Sequence, residues 1–383
     1  MSRTKNYAIQ TAAKMQKQLN TVAADLYGGA NDVTLGAGSL MQVTECIMDD
    51  GTEVIVNQDI NGTQTPNYQD TVAKVPTVEV STTVHSAGDL PFIVSALGWE
   101  NLDGPKSNGT NYTHLIPLQI RGKEQRAYTA AEEALVVSGF DADDRINPYI
   151  HIARELGPSV EHAKNVVFKG IEIGSQQKQE LKMKLAGTAE SLTRDATKTG
   201  VSTWAKVTGA FANTFKHYQG VFTVGPQGGT LVATQVLEFM VKINHGLAEG
   251  VIPTGTSNSG LAQAEPLSDG LSEVTVDFRV YKHDSDLYKG WQTGDTKISA
   301  KMEYTRGSEF LGFYMPLLQV VNAQVEPGEG GTVLVSCRAM LPTATDPFTT
   351  ERTVSATEWV LPFSTPFYAI AKEASQVNFL RTT

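Results

Sequence analysis

The stretch VTVDFRVYKHDSDLYKGWQTGD, residues 274–295, changes its periodicity partway along. Val274, Val276, Phe278 and Val280 alternate with Thr275, Asp277 and Arg279, which puts apolar side chains on one face of an extended strand and polar ones on the other. His283-Asp284-Ser285-Asp286 then packs a ring nitrogen and two carboxylates into four residues. A metal or acid/base site is one reading. Neighbouring residues point to opposite faces of a strand and fan outward at a helix start, so three convergent ligands are geometrically awkward here. The arrangement instead predicts a strand handing over to a helix, with Asp284 and Asp286 as caps near the positive end of the helix dipole.

The same alternation recurs. Ile298, Ala300, Met302 and Tyr304 interleave with Lys297, Ser299, Lys301 and Glu303; Leu181, Met183 and Leu185 interleave with Glu180, Lys182 and Lys184; Val333, Val335, Cys337 and Ala339 interleave with polar positions and Leu334. Turn signals such as Pro-Gly-Glu-Gly-Gly at 327–331 separate the runs. Residues 5–26 are the exception: Ile9, Ala12, Ala13, Leu19, Val22, Ala23 and Leu26 fall at helical spacing, predicting one polar helix ended by Gly28 and Gly29.

The alternating segments also repeat. Val78, Val80, Thr82 and Val84 match Val274, Val276, Phe278 and Val280, 196 residues apart (78 to 274). Each strand leads into a short helix. In the first copy this is GDLPFIVSALG, with Asp89 as cap, Pro91 in the first turn and Gly98 as the stop. Upstream, CIMDDG (46–51) parallels VKINHG (241–246), and downstream residues 168–187 and 316–339 each read as two strands joined by a polar hairpin. The pattern predicts a mainly β chain with minor α, mostly antiparallel and made of two tandem copies of one β-rich module with a single helix. The expected boundaries are 1–35 for an N-terminal helical arm, 36–205 for module 1, 206–350 for module 2 and 351–383 for a C-terminal extension. A length of 383 residues fits two domains or three.

Composition narrows the function. Apolar residues at 40% and charged residues at 19% are ordinary for a globular chain. A formal charge of −10 argues against a protein that grips nucleic acid by neutralising phosphates. Cys46 and Cys337 stand far apart without a CxxC, so neither a zinc site nor a disulfide framework is expected, and assembly in a reducing cytoplasm is. No run of about 18 apolar residues and no apolar signal core at MSRTKNYAIQ is present, so neither a membrane span nor secretion is expected.

Other clusters read as structure. FDADDRIN (140–147) gathers Asp141, Asp143 and Asp144 but lacks the glycine and distal Glu of a calcium loop, which leaves a solvated acidic turn. GPQGG (225–229) and GEGG (328–331) have no following Lys-Ser/Thr and read as hairpins. The seven histidines are scattered singly, with neither HExxH nor a Gly-x-Ser-x-Gly elbow. No enzyme constellation, cofactor site or metal site is predicted.

The series VLEFMVKINHGL (236–247), VTVDFRVYKHDSDLYKGW (274–291), KISAKMEYTRG (297–307), GFYMPLLQVV (312–321) and GGTVLVSCRAMLP (330–342) resembles the C-terminal half of tail tube proteins of long-tailed bacteriophages. VEVSTTVHSAGDLPFIVSALGW, YTHLIPL and VVFKGIEIGSQQKQELKMKLAG resemble its partner half. The resemblance spans roughly residues 36–345 and rests on the order of elements. It implies that each module is an antiparallel β-sandwich with one flanking helix, in a structural virion protein, assembled in the host cytoplasm, whose two modules form homotrimeric, pseudo-hexameric rings that stack into a tube for DNA ejection. It also implies a tape measure protein and tail terminator or tip proteins as partners, with DNA passing through non-specifically. Glu273, Asp277 and Glu303, on polar faces of strands expected to be neighbours, are the candidate acidic positions facing the channel. The competing expectations are another tube or ring component, such as a type VI secretion-like inner tube or a distal tail ring, and a monomeric β-sandwich binding protein or hydrolase with a dispersed site.

Overall fold

The computed structural model describes residues 10–15, 35, 39–56, 69–85, 88–98, 100, 106–108, 111–119, 149–197, 201–204, 213–247, 272–281, 296–325, 331–342, 346–354, 357–358, 361 and 364–373. Across these residues the fold is mainly β and the strand pairings are antiparallel. The first half contains β1 (Thr11–Met15), β2 (Leu40–Met41), β3 (Glu45–Asp49), β4 (Thr52–Val56), β5 (Gln69–Lys74), β6 (Thr77–Thr83), the helix α1 (Leu90–Leu97), β7 (Lys106–Asn108), β8 (Asn111–Pro117), β9 (Ile150–Leu156), β10 (Ser159–Gln176), β11 (Lys182–Thr188) and β12 (Ser191–Asp195). The second contains β13 (Gly220–Pro226), β14 (Val232–Thr234), β15 (Val236–Asn244), β16 (Glu273–Tyr281), β17 (Lys297–Arg306), β18 (Glu309–Val325), β19 (Thr332–Ala339), β20 (Thr353–Val354), β21 (Thr357–Glu358) and β22 (Tyr368–Glu373).

Alternation predicts these strands well. Val274, Val276, Phe278 and Val280 face the core, as do Ile298, Ala300, Met302 and Tyr304 of β17 and Val333, Val335 and Cys337 of β19. The predicted N-terminal helix is corrected at residues 11–15, which form β1 between β2 and β9. Thr11, Ala12, Ala13 and Met15 are all buried. Two adjacent alanines satisfy a helical stripe on paper, but cross-strand pairing along five residues of β9 overrides that preference. Residues 5–9 and 16–26 of that predicted helix lie outside the described residues, as do the second predicted helix with His283, Asp284 and Asp286 and the acidic turn at 140–147.

The helix α1 forms where expected, with Pro in its first turn and Gly98 left-handed at φ 88°. Asp89 holds the N-cap position, yet its carboxylate caps nothing in the helix. It turns back to accept from the His85 backbone N–H at 2.7 Å and lies 3.1 Å from His85 Nδ1. Burial raises its pKa, and the His85 contacts oppose that shift. Asp89 thus ties the helix start to the end of β6.

Two runs of four strands share one plan: β3–β6–β11–β10 and β15–β16–β19–β18. One cross-strand row of the first is Cys46, Val80, Leu185, Ile171; the matching row of the second is Val241, Val276, Cys337, Val320. The turns match too. Gly157 (φ 59°) joins β9 to β10 and Gly307 (φ 61°) joins β17 to β18. Gly51 (φ 54°) donates to Asp49 Oδ1 at 3.0 Å, and Gly246 (φ 56°) donates to Asn244 Oδ1 at 3.0 Å. Positive φ is what makes glycine the fitting residue at all four positions.

The longest strands, β10 and β18, hold the fold together. The first half of β10 pairs with β9 and β12, and its second half with β11 and β15. Likewise β18 pairs with β17, β19 and β22. Each carries register shifts that bend it, between Ala163 and Val166 in β10 and between Val320 and Asn322 in β18. Among the described residues, the ladders branch at these two strands and their pairings do not close into a circuit. One hydrophobic core runs unbroken through both halves, from Val80 and Phe168 to Phe239 and Val335.

The C-terminal residues join this body. β22 lies between β18 and β8, while Tyr368 stacks on Tyr314 with ring centroids 5.0 Å apart and donates to Asp346. Among the described residues, no helix is long and apolar enough to cross a membrane.

Candidate assembly site

The two four-strand runs meet edge to edge where the second half of β10 pairs with β15, from Gly170 opposite Asn244 to Gln176 opposite Glu238. Ile171, Ile173 and Ser175 face the core with Ile243, Val241 and Phe239. Gly174 permits a close approach: a Cβ there would lie 2.7 Å from the Phe239 carbonyl oxygen and 3.2 Å from Met240 Cα. At Gly170 the corresponding contact is 3.2 Å, to the Ile243 carbonyl. A polar cluster pins one end of this seam. Ser175 Oγ lies 2.7 Å from Tyr304 OH and 2.8 Å from His217 Nδ1, and His217 Nε2 donates to the Val236 carbonyl at 2.9 Å.

The seam makes one eight-strand sheet, β3–β6–β11–β10–β15–β16–β19–β18. Its polar face mixes charges. One row passes from Glu45 through Ser81, Lys184, Glu172, Lys242, Thr275 and Arg338 to Gln319, so cations and carboxylates alternate across the middle. Lys184 pairs with Glu79 at 3.3 Å and Arg338 with Glu273 at 2.7 Å.

Among the three expected acidic positions, Glu273 and Asp277 stand on this face, both on β16. Glu303 is not their neighbour: β17 pairs with β13 and β18 rather than with β16. Glu303 accepts from Tyr314 OH at 2.7 Å and from Lys301 at 3.0 Å. Lys301 also holds Glu351 of the C-terminal segment at 2.7 Å. Burial works against the Lys301 charge, but the hydrogen bonds and charges of Glu351 and Glu303 outweigh it and raise its pKa. Alternation gives the face of a residue within its own strand and is silent on which strands it pairs with.

Both outer edges of the eight-strand sheet are open among the described residues. β3 pairs only with β6, and beyond Val320 the side of β18 away from β19 meets no strand. Ile47 on β3 is 44% exposed and Val321 on β18 is 64% exposed. Arg154 of β9 reaches the open side of β3, where Nη1 donates to the Cys46 carbonyl at 2.7 Å and Nη2 to the Met48 carbonyl at 3.2 Å. Its guanidinium is held at 2.7 Å by Glu161, and both side chains are largely buried.

Sequence reading did not anticipate Arg154, Ser175, His217 or Tyr304, because each acts across strands far apart in the chain. The Gly170/Gly174 pair within an alternating strand is the signal that marked the seam. Cys46 and Cys337 are free thiols, with burial pushing Cys46 up to about 11 and Cys337 up to about 12. Among the described residues, no group of three or more His, Cys, Asp or Glu is placed to hold a metal ion. No protein-family model matches the chain, and no curated protein matches its sequence.

Proposed function

We propose that this chain is a tube-forming subunit of the kind found in long-tailed bacteriophages, with two tandem β-sandwich modules that polymerise as stacked rings around a channel for DNA. The observation that carries the reading is the β10–β15 seam: two strand runs with the same pairing plan meet edge to edge and leave complementary edges, on β3 and β18, at either end. Repeating that seam between copies would use both edges. A contact that joins two different surfaces is heterologous and closes into a ring when its rotation allows. Ring closure would also remove the unpaired edges that otherwise invite aggregation. The ring order of three is what the resemblance to tail tube proteins implies.

The polar face fits a channel wall. Lys184, Glu172, Lys242, Glu273 and Asp277 mix charges on one surface, which offers DNA no continuous basic track to bind. Screening at physiological salt limits the wall's field to about 8 Å. Ser175 and His217 face each other as a nucleophile and base would, but they are 3% and 9% exposed and serve the seam, which disfavours a hydrolase.

Electron microscopy of the purified protein, with sedimentation over a range of concentrations, tests the reading. Rings with sixfold-like outline, or tubes built from them, are the expected result. A monomer that persists at high protein concentration and shows neither form would refute it.

A further inference from the structure

We infer that Arg154 is a displaceable plug on the copy-binding edge of β3, held by Glu161, and that β18 of a second copy takes the Cys46 carbonyl from it when a ring forms. This rests on the tube reading above and adds to it a register and a control point.

The internal seam is the template. Gly157 and Gly307 occupy equivalent turns, so Arg154, three residues before the first, stands where Tyr304 stands before the second. The pairings agree, with Arg154 opposite Thr11 and Tyr304 opposite Gly220. Tyr304 reaches past β15 to the Ser175 side chain on β10, leaving the backbone of Val241 and Ile243 to pair with Ile173 and Ile171. The residues of β3 that match Val241 and Ile243 are Cys46 and Met48. Their carbonyls are the two that Arg154 occupies. Residues two apart on an edge strand present their backbone groups to the same side, so one guanidinium covers two acceptors that an added strand would need.

The occupant follows from the same match. Ile173 pairs with Met183, and Ala323 holds the equivalent place opposite Val335. Carried over to two copies, the seam sets Ala323 of one chain opposite Cys46 of the next, with Asn322 opposite Ile47 and Gln324 opposite Glu45. Val320 N–H already donates to the Thr296 carbonyl at 3.1 Å, so this seam begins just beyond Val320. The Met48 carbonyl therefore keeps Arg154, and only the Cys46 carbonyl changes partner. A blunted edge of this kind lets chains fold as monomers before they pair.

The test uses a synthetic peptide of residues 319–326, QVVNAQVE, titrated into dilute full-length protein and followed by isotropic backbone NMR or calorimetry. Replacing Arg154→Met together with Glu161→Gln removes the plug without stranding a charge, and should tighten peptide binding roughly tenfold, the worth of one charge-assisted hydrogen bond. Glu161→Gln alone, which loosens the guanidinium and disturbs the fold least, should give a smaller gain in the same direction. A peptide with Ala323→Pro lacks the N–H that must replace Arg154 and should not bind. Equal or weaker binding by both variants overturns the plug while leaving the edge intact. Peptide binding to none of the proteins, while the wild type still forms rings, overturns the β18 register. Absence of both binding and rings brings down the tube reading itself.

Discussion

Replacing Gly174→Ala asks how closely the two strand runs are joined. The added methyl would sit 2.7 Å from the Phe239 carbonyl oxygen and 3.2 Å from Met240 Cα and Cβ, where ordinary contacts begin near 3.4 Å. Phe239 is fully buried and its backbone belongs to the ladder, so the carbonyl cannot swing aside as a flexible side chain would. β10 and β15 must move apart by several tenths of an ångström. Overpacking of this type costs about 1–3 kcal/mol, and the loss of unfolded-chain freedom on replacing glycine returns about 0.4–1 kcal/mol. With an unfolding entropy of roughly 2.1 cal/mol/K per residue over 383 residues, a net loss in the middle of the resulting range, about 1.3 kcal/mol, lowers the melting temperature by about 1.5 °C, and the upper end by about 3 °C. Urea unfolding followed by far-ultraviolet circular dichroism should resolve it as a lower midpoint at unchanged slope. Gly170→Ala, with its single 3.2 Å contact, should cost less. If Gly174→Ala were as stable as the wild type, or Gly170→Ala the worse of the two, the close-packed seam would be wrong.

Other outcomes follow from the same geometry. Tyr304→Phe removes one partner of Ser175 Oγ inside the seam and should cost about 0.5–1.5 kcal/mol in urea unfolding, with Ser175 still able to use His217. Ile47→Lys places a charge on the open side-chain face of β3, should change monomer stability by less than about 0.5 kcal/mol, and should abolish rings seen by electron microscopy. Glu373, buried at the end of β22 with Oε1 3.4 Å from His114 Nε2, has its pKa raised well above 4.5 by burial and by Glu100 and Glu309. A carboxyl raised in the folded state favours folding below its unfolded pKa and loses that contribution as pH rises through the folded value. Stability should therefore fall as pH climbs above about 4.5, and Glu373→Gln should flatten that part of the profile.

The strand register was legible to different depths along the chain. Val274 to Val280 and Ile298 to Tyr304 were readable because a half-buried strand must alternate, and so was α1, where Pro91 and Gly98 mark both ends. Asp89 shows the limit of such reading. It sits at the cap position, but the nearby end of β6 offers its carboxylate the His85 N–H, and that contact prevails. β1 fails for a related reason: Ala12 and Ala13 suit either element, and β9 decides between them. Glu303 was assigned the polar face of its own strand and the wrong neighbour, since nothing local says that β17 joins β13 and β18 rather than β16.

By itself, then, the amino-acid order determined a mainly antiparallel β chain, the helix between β6 and β7, and the parallel between the segments around Val80 and Val276, because period, turn residues and caps act within a few residues. Only the tertiary structure decided that β10 joins β15, that β22 inserts between β8 and β18, and that Arg154 lies on the open edge of β3. Strand edges are alike as backbone. Which edge meets which is settled by the shared core that both strands bury and by single side chains arriving from more than 100 residues away, as Arg154 does at Cys46.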